Sequence, residues 1–191
     1  MKVVAFNCSP RANGNTRAMI DVVLKEMESQ GIDVEVIQVG GKDLHGCRAC
    51  GTCGRTKDMK CVLDDDMVNE CVGKMANADA IIIGSPTYFS DLTAEAKALI
   101  DRSGYVLRAN GNPLRRKAGA AVVVARRAGA THTFDSINHF FTINEMMVVG
   151  SSYWNLSLSR DIGDFEKDAE GIRTMKTLGD NMAWLMKRIG E

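Results

Sequence analysis

The chain has 191 residues and a mass of 20.8 kDa, which is within the range of one large domain. Its 24 basic and 24 acidic side chains balance, so it lacks the basic surface that nucleic-acid binding needs. No apolar run approaches the roughly 18 residues of a transmembrane helix, and the first apolar run turns polar too early for a signal peptide. We therefore expect a cytoplasmic protein that binds neither nucleic acid nor membranes.

Short β-branched runs alternate with amphipathic stretches along the chain, which is typical of a parallel α/β sheet. The predicted strands are 2–7, 33–39, 79–84, 118–125 and 146–153. The predicted helices are 16–30, one that opens at 64–66, 92–107, 134–144 and 171–189. Five strands alternating with helices predict a single doubly wound domain over residues 1–191.

The segment 8–16 joins the first predicted strand to the first predicted helix. It is rich in hydroxyls and small residues, and it ends where a helix N-terminus exposes backbone N–H groups, an arrangement that favours a phosphate. Neither a GxGxxG pattern nor a Walker pattern is present, which disfavours a dinucleotide fold and a nucleoside triphosphatase. A merely tight strand–helix turn remains the alternative. The candidate phosphate ligands are Ser9, Arg11, Asn15 and Thr16.

Two motifs in these positions resemble those of the NADPH-dependent FMN reductase family, which has a flavodoxin-like fold. The first is Ser9-Pro10-Arg11 through Gly14-Asn15-Thr16, similar to the FMN-phosphate loop of that family. The second is Gly-Ser-Pro-Thr-Tyr-Phe at 84–89, which follows the third strand as the corresponding family motif does. The resemblance covers the chain from Met1 to the last helix. It implies bound FMN and a five-stranded parallel sheet of order 2-1-3-4-5.

The second motif lies where such a sheet binds ligands, outside the carboxyl ends of the first and third strands. Backbone amides from Thr87 to Ser90 are expected to bind the polar edge of the flavin ring, with an aromatic side chain packed on the ring. Plain packing under the loop is the alternative for these aromatics. The loop 125–133 closes a third side, with Gly129 and His132 as weaker candidates. The predicted ring-binding residues are Pro86, Thr87, Tyr88, Phe89 and Ser90.

Four of the six cysteines fall within fifteen residues, in a glycine-containing loop at about 45–62. In a cytosolic chain such clustering favours metal or redox chemistry over disulfides. Three thiolates at two-residue intervals and a fourth further along can hold an iron–sulfur cluster. Zinc, free thiols and disulfides remain alternatives. The candidate ligands are Cys47, Cys50, Cys53 and Cys61, whereas Cys8 and Cys71 are predicted core residues.

This cysteine spacing after the second strand resembles the iron–sulfur flavoprotein branch of the same family. The resemblance implies a homodimer or homotetramer in which FMN and a [4Fe–4S] cluster meet at subunit contacts. The apolar and basic residues 105–117 are a candidate interface rim. Clusters of this kind are often lost in air. One departure is Cys8, which stands where the family often has a small residue such as glycine.

The resemblance implies an FMN-dependent oxidoreductase or electron-transfer flavoprotein that passes electrons between the cluster and FMN. NAD(P)H or ferredoxin fits as electron donor, and a quinone, an oxygen species or a redox protein fits as acceptor. No side chain is assigned as an acid–base catalyst. Two alternatives stay open. One is a cluster-free NAD(P)H-dependent FMN or quinone reductase, and the other is a non-catalytic flavodoxin-like carrier or thiol redox sensor.

Overall fold

The computed structural model describes residues 1–190, so the last residue of the predicted domain lies outside the described part. The strands are β1 (Lys2–Asn7), β2 (Asp33–Gln38), β3 (Ala80–Pro86), β4 (Ala118–Ala125), β5 (Met147–Val148) and β6 (Leu156–Leu158). The helices are α1 (Asn15–Ser29), α2 (Thr52–Thr56), α3 (Val68–Asn77), α4 (Ala94–Ala109), α5 (Ala130–Ile143) and α6 (Ala169–Ile189). A 3-10 helix at Asp164–Lys167 precedes α6.

The strands form a parallel sheet in the order β2-β1-β3-β4-β5, which confirms the predicted α/β fold class and strand order. In the register, Asn7 lies opposite Gly84, and Pro86 lies opposite Val124. β4 is buried along its whole length because helices cover both faces of the sheet. One apolar core lies under α1 and α6, and the other lies under α3, α4 and α5. Within residues 1–190, no helix is both long and apolar enough to cross a membrane.

The predicted fifth strand at 146–153 is wrong as a continuous element. Two short strands lie beside β4 instead, with β5 opposite Ala118 and Gly119 and β6 opposite the end of β4. The chain between them leaves the sheet at 150–154, where Gly-Ser-Ser brings no apolar side chain to the core, and returns at Asn155, whose carbonyl accepts from the Val123 N–H at 3.0 Å. The Asn155 side chain closes this detour, since its Nδ2 donates to the Val149 carbonyl at 3.2 Å.

The helix predicted to open at 64–66 begins at Val68, because Asp66 is used outside the helix. Its carboxylate accepts from the Val68 N–H at 3.1 Å and pairs with the buried Arg102. The predicted helix at 134–144 begins earlier, at Ala130, after Gly129 in the left-handed region. These shifts move helix ends and leave the strand order unchanged.

Candidate functional site

The loop 8–16 lies outside the carboxyl end of β1, as predicted. Gly14 is the N-cap of α1 and provides no side-chain acceptor for the free N–H groups of the first turn. Ser9 and Thr16 are buried beside these groups, whereas Arg11 is exposed and has no ion pair within residues 1–190. The positive end of the helix dipole favours an anion here. Donors, hydroxyls and a free cation therefore meet in a place that fits a phosphate.

A set of side chains outside the motif holds this loop in shape. Asn7 is fully buried, and its Oδ1 accepts from the Ser9 N–H at 3.2 Å. Gln38 Nε2 donates to the carbonyls of Ser9 and Gly40, each at 2.7 Å. A Cβ at Gly40 would lie 2.2 Å from the Ser9 carbonyl carbon, so only glycine allows this approach. Sequence reasoning missed these residues, although the Gly-Gly pair after β2 was a visible signal.

Asn15 is placed differently from the other predicted phosphate ligands. Its side chain donates to the Asp161 carbonyl at 2.8 Å and accepts from the Gly163 N–H at 3.0 Å. Both ends of the amide are therefore occupied by the segment before the 3-10 helix. What Asn15 offers a phosphate is its backbone N–H in the first turn of α1.

The turn after β3 has fewer free donors than the sequence predicts. The Thr87 N–H donates to the Val124 carbonyl at 2.8 Å, and the Tyr88 N–H donates to the Asp91 carbonyl at 2.8 Å. Within residues 1–190, the N–H groups of Phe89 and Ser90 have no partner. The backbone donors left for a flavin edge are thus the N–H groups of Phe89 and Ser90.

Phe89 and Ser90 form the corner of this turn with φ values of 49° and 66°. Two positive φ values in succession define a type I′ turn, which a bulky side chain rarely adopts. The Phe89 side chain is fully exposed and Tyr88 is half-exposed, so neither is buried under the loop. A Cβ at Gly129 would lie 2.8 Å from Ser90 Oγ, which places the loop 125–133 against the turn. His132 lies at the surface with its Nε2 3.7 Å from the Asp91 carboxylate.

The loop 8–16, called the phosphate loop below, and the turn after β3 are joined into one unit. The Cys8 N–H donates to the Gly84 carbonyl at 2.8 Å, and Thr93 Oγ1 donates to the Cys8 carbonyl at 2.9 Å. The Thr93 N–H donates to Ser85 Oγ at 3.1 Å, and its hydroxyl caps α4 by accepting from Ala96. Thr93 was not among the predicted residues. One residue, through its side chain and its backbone N–H, therefore connects both loops to the start of α4.

The four clustered cysteines line one pocket of about 150 Å³, on which α4 places Arg102, Tyr105 and Val106. Among residues 1–190, no three His, Cys, Asp or Glu side chains converge closely enough to hold a single metal ion. A tetrahedral zinc needs four sulfurs about 2.3 Å from one point. A cubane takes one cysteine at each iron, so the sulfurs surround it. Four cysteines that line one pocket supply the one thiolate per iron that a cubane takes.

Hydrogen-bond donors already face three of the four sulfurs. The Ala49 N–H donates to Cys47 Sγ, and Arg102 Nε donates to Cys61 Sγ, each at 3.4 Å. Hydrogen bonds from the Thr52 hydroxyl and then its N–H lower the pKa of the Cys50 thiol. The thiolate is the form that binds metal. The lowered pKa of Cys50 and the donors at two further sulfurs support the use of this pocket for a cysteine-ligated group.

The two remaining cysteines lie in the core, as predicted, and differ from the four in the loop. Burial raises the pKa of Cys71 to about 12 and raises that of Cys8 as well. In the metal-free native protein near pH 8, we expect an alkylating reagent to modify Cys47 and Cys50 rapidly and to spare Cys8 and Cys71. Peptide mass spectrometry after a timed quench measures this, with urea-unfolded protein as the fully reactive control. Fast modification of Cys71 in the folded chain would contradict it.

Comparison with known proteins gives four findings. A family model described as NADPH-dependent FMN reductase matches residues 1–161. The chain is 38% identical over 196 residues to an iron–sulfur flavoprotein of Methanocaldococcus jannaschii, with 99% of each covered. It is 32% identical over 197 residues to an iron–sulfur flavoprotein of Methanosarcina thermophila, with 99% and 97% covered. A solved flavodoxin from the domain Archaea superposes with a TM-score of 0.63 at 20% identity, covering 98% and 99%. The predicted flavodoxin-like fold is thereby confirmed.

Proposed function

The chain belongs to the iron–sulfur flavoprotein branch of the NADPH-dependent FMN reductase family, and from this we propose that it passes electrons between a [4Fe–4S] cluster and FMN. Membership in the family makes it a flavin-dependent oxidoreductase. The observation that carries the finer proposal is the cysteine pocket, where four cysteines surround one space and three sulfurs accept hydrogen bonds. A reductase without a cluster has no need of such a pocket.

Each group of residues has a distinct task in this proposal. The Ser9 and Thr16 hydroxyls, the Arg11 guanidinium and the first N–H groups of α1 hold the FMN phosphate. The N–H groups of Phe89 and Ser90 bind the polar edge of the ring. Pro86, Thr87 and Tyr88 complete the ring site, and the exposed aromatic side chains pack against the ring. The cluster ligands are Cys47, Cys50, Cys53 and Cys61.

FMN, when bound, supplies both hydride and single-electron transfer, and the cluster supplies single-electron transfer. The protein contributes binding, orientation and the tuning of both potentials, and no side chain is proposed to move a proton. Either NAD(P)H or reduced ferredoxin is the proposed donor, and a quinone, an oxygen species or a redox protein is the proposed acceptor. We place this chemistry in the cytoplasm. We also assign the whole chain to one domain, since α6 packs back on α1.

The test begins with anaerobically purified protein. We expect iron and acid-labile sulfide in equal amounts, about four of each per FMN, as a [4Fe–4S] cluster requires. Reduced ferredoxin and NADPH are then added separately, and bleaching of the flavin bands identifies the donor. Zinc without iron would overturn the cluster proposal and leave a cluster-free NAD(P)H-dependent reductase. Flavin reduction without steady-state turnover on a quinone would favour a carrier.

Arg11→Ala tests the phosphate loop. Loss of a hydrogen bond to a charged group costs roughly 1.5–3 kcal/mol. We therefore expect FMN affinity to fall about tenfold or more. Quenching of flavin fluorescence on titration into apoprotein measures the affinity. Lys25→Ala, which removes an exposed cation further along α1, is the control and should leave affinity unchanged. Unchanged affinity in Arg11→Ala, or FAD in the purified protein, would refute the assignment.

A surface groove of about 710 Å³ between α4 and α5 favours self-association. It runs from Asp91, at the turn after β3, to Tyr105, which also lines the cysteine pocket and is 62% exposed. We expect a dimer or tetramer at micromolar concentration, measured by sedimentation velocity. Tyr105→Glu should weaken the association, because a charge would have to be desolvated in the contact. A single 20.8 kDa species in the unmodified protein would contradict the proposal.

A further inference from the structure

Arg102 of α4 is, by volume, the largest fully buried side chain in the described part of the chain. Arginine is almost never fully buried unless it is paired. Its partner is Asp66, and the two side chains are 0% and 1% exposed. A buried pair of this kind is weak evidence for stability, so its retention points to another role.

Within residues 1–190, the hydrogen bonds of this guanidinium go to the cysteine loop, defined here as residues 45–62, and to Leu63 and Asp66 just after it. Nη1 donates to the His45 carbonyl at 3.2 Å and to the Asp66 carboxylate. Nη2 donates to the Leu63 carbonyl at 2.7 Å. One cation on a long helix thus ties the two ends of the cysteine loop together.

The third nitrogen of the guanidinium, Nε, donates to the sulfur of Cys61 at 3.4 Å. Cys61 lies further along the chain than the other three cysteines, which are closely spaced. Its backbone is held independently, because the Asn69 side chain accepts from its N–H at 2.7 Å and donates to its carbonyl at 3.0 Å. Asn69 therefore fixes where the Cys61 backbone lies, and within residues 1–190 Arg102 is the residue that donates a hydrogen bond to its sulfur.

We propose that Arg102 is a positioning residue for the cysteine site and that its Nε–H, by donating to the Cys61 sulfur, raises the reduction potential of the cluster. This inference rests on the proposed function. Reduction adds one electron to the cluster, and no bond is made or broken. An N–H aimed at a ligand sulfur stabilises the added negative charge, and hydrogen bonds to sulfur are among the factors that set iron–sulfur potentials. Asp66 balances the charge of the guanidinium but leaves the Nε–H directed at the sulfur.

Arg102→Lys tests the proposal because it removes the Nε–H donor while keeping a positive charge on the side chain. Lysine keeps the positive charge for Asp66 but places its Cε methylene where arginine has Nε–H. We expect the ratio of reduced to oxidised cluster, at the midpoint potential of the unmodified protein, to fall about tenfold, equivalent to about 59 mV for one electron. The measurement is an anaerobic redox titration of the holoprotein followed by electron paramagnetic resonance.

Asp66→Asn is the matched control, because it removes the charge of the ion pair while leaving the Nε–H on Cys61. Its potential should stay the same or rise. Equal shifts in the same direction in both variants would show general loosening of the loop and overturn the proposal, as would an unchanged potential in Arg102→Lys. Should Arg102→Lys not fold, the double variant Arg102→Met/Asp66→Asn removes both charges and the Nε–H together and is expected to lower the potential likewise. Absence of iron from the unmodified protein would refute the proposed function itself, whereas an intact cluster with unshifted variants refutes only this inference.

Discussion

Serine at any one of the four clustered cysteines is expected to abolish the broad visible absorbance of the iron–sulfur cluster while the FMN bands remain. Cluster ligation needs thiolates, and loss of one corner ligand destabilises the whole cluster rather than a quarter of it. The sharpest case is Cys61→Ser, because Cys61 joins the pocket from outside the compact motif. Absorbance, iron and sulfide of anaerobically reconstituted protein are the measurements.

Cys71→Ser is the control for this series. Cys71 is fully buried on α3 among apolar side chains, away from the pocket. The variant should keep both chromophores and lose stability, since burying a hydroxyl without a partner costs roughly 1–3 kcal/mol. A full cluster in Cys61→Ser would contradict the ligand assignment. Loss of the cluster in Cys71→Ser would show that absorbance reports folding rather than ligation.

Arg102→Met is expected to lower the free energy of unfolding by about 3–5 kcal/mol, because it leaves the Asp66 carboxylate buried without its partner. Urea unfolding of the cofactor-free chain measures this without a contribution from ligand binding. Lys97→Met on the same helix is the control. The Lys97–Asp101 side chains are 60% and 38% exposed, and such pairs contribute only about 0.3–0.5 kcal/mol. Similar losses in both variants would contradict a special role for the buried pair.

The difference in free energy of unfolding between the unmodified protein and Arg102→Met depends on pH. Burial alone would raise the pKa of Asp66, but hydrogen bonds from Arg102 and from the His45 and Val68 N–H groups outweigh it and hold that pKa below its usual value. A carboxyl with a lowered pKa in the folded state stabilises the fold above its unfolded pKa, about 3.9, and loses that contribution as the pH falls. In Arg102→Met the buried, unpaired carboxyl has a raised pKa instead, so the difference between the two proteins should shrink as the pH falls from neutral to below about 4. A constant difference would mean that Asp66 is not the group responsible.

The strands and most helices were predictable because they depend on local periodicity, whereas the strand order came from the family resemblance. The positions of the loop 8–16 and of the four clustered cysteines were predictable too, because short motifs mark both. The split of the fifth strand was not, since it depends on Asn155 folding back onto Val149. Arg102 was also missed. On a helix pattern it looks like a surface cation, and its partners lie 36 to 57 residues away.

Other parts of the site depend on contacts that a single sequence does not show. Asn15 has the residue type of a phosphate ligand, but a segment almost 150 residues later occupies its amide. The bracing of the loop by Asn7 and Gln38 joins two adjacent strands. Motifs thus indicated where the candidate sites lie, and long-range hydrogen bonds determine which atoms are free there.

Helix α4 has a consequence for the path of electrons. Thr93 caps it at the phosphate loop, and Arg102 anchors the cysteine loop nine residues further on, roughly 13.5 Å along the helix axis. A capped helix packed into the core works as a rigid spacer, so these two anchor points keep a fixed separation inside one chain. Internal motion cannot shorten that gap. Under the proposed function, an electron route shorter than this spacing would have to cross to a neighbouring molecule of the proposed assembly.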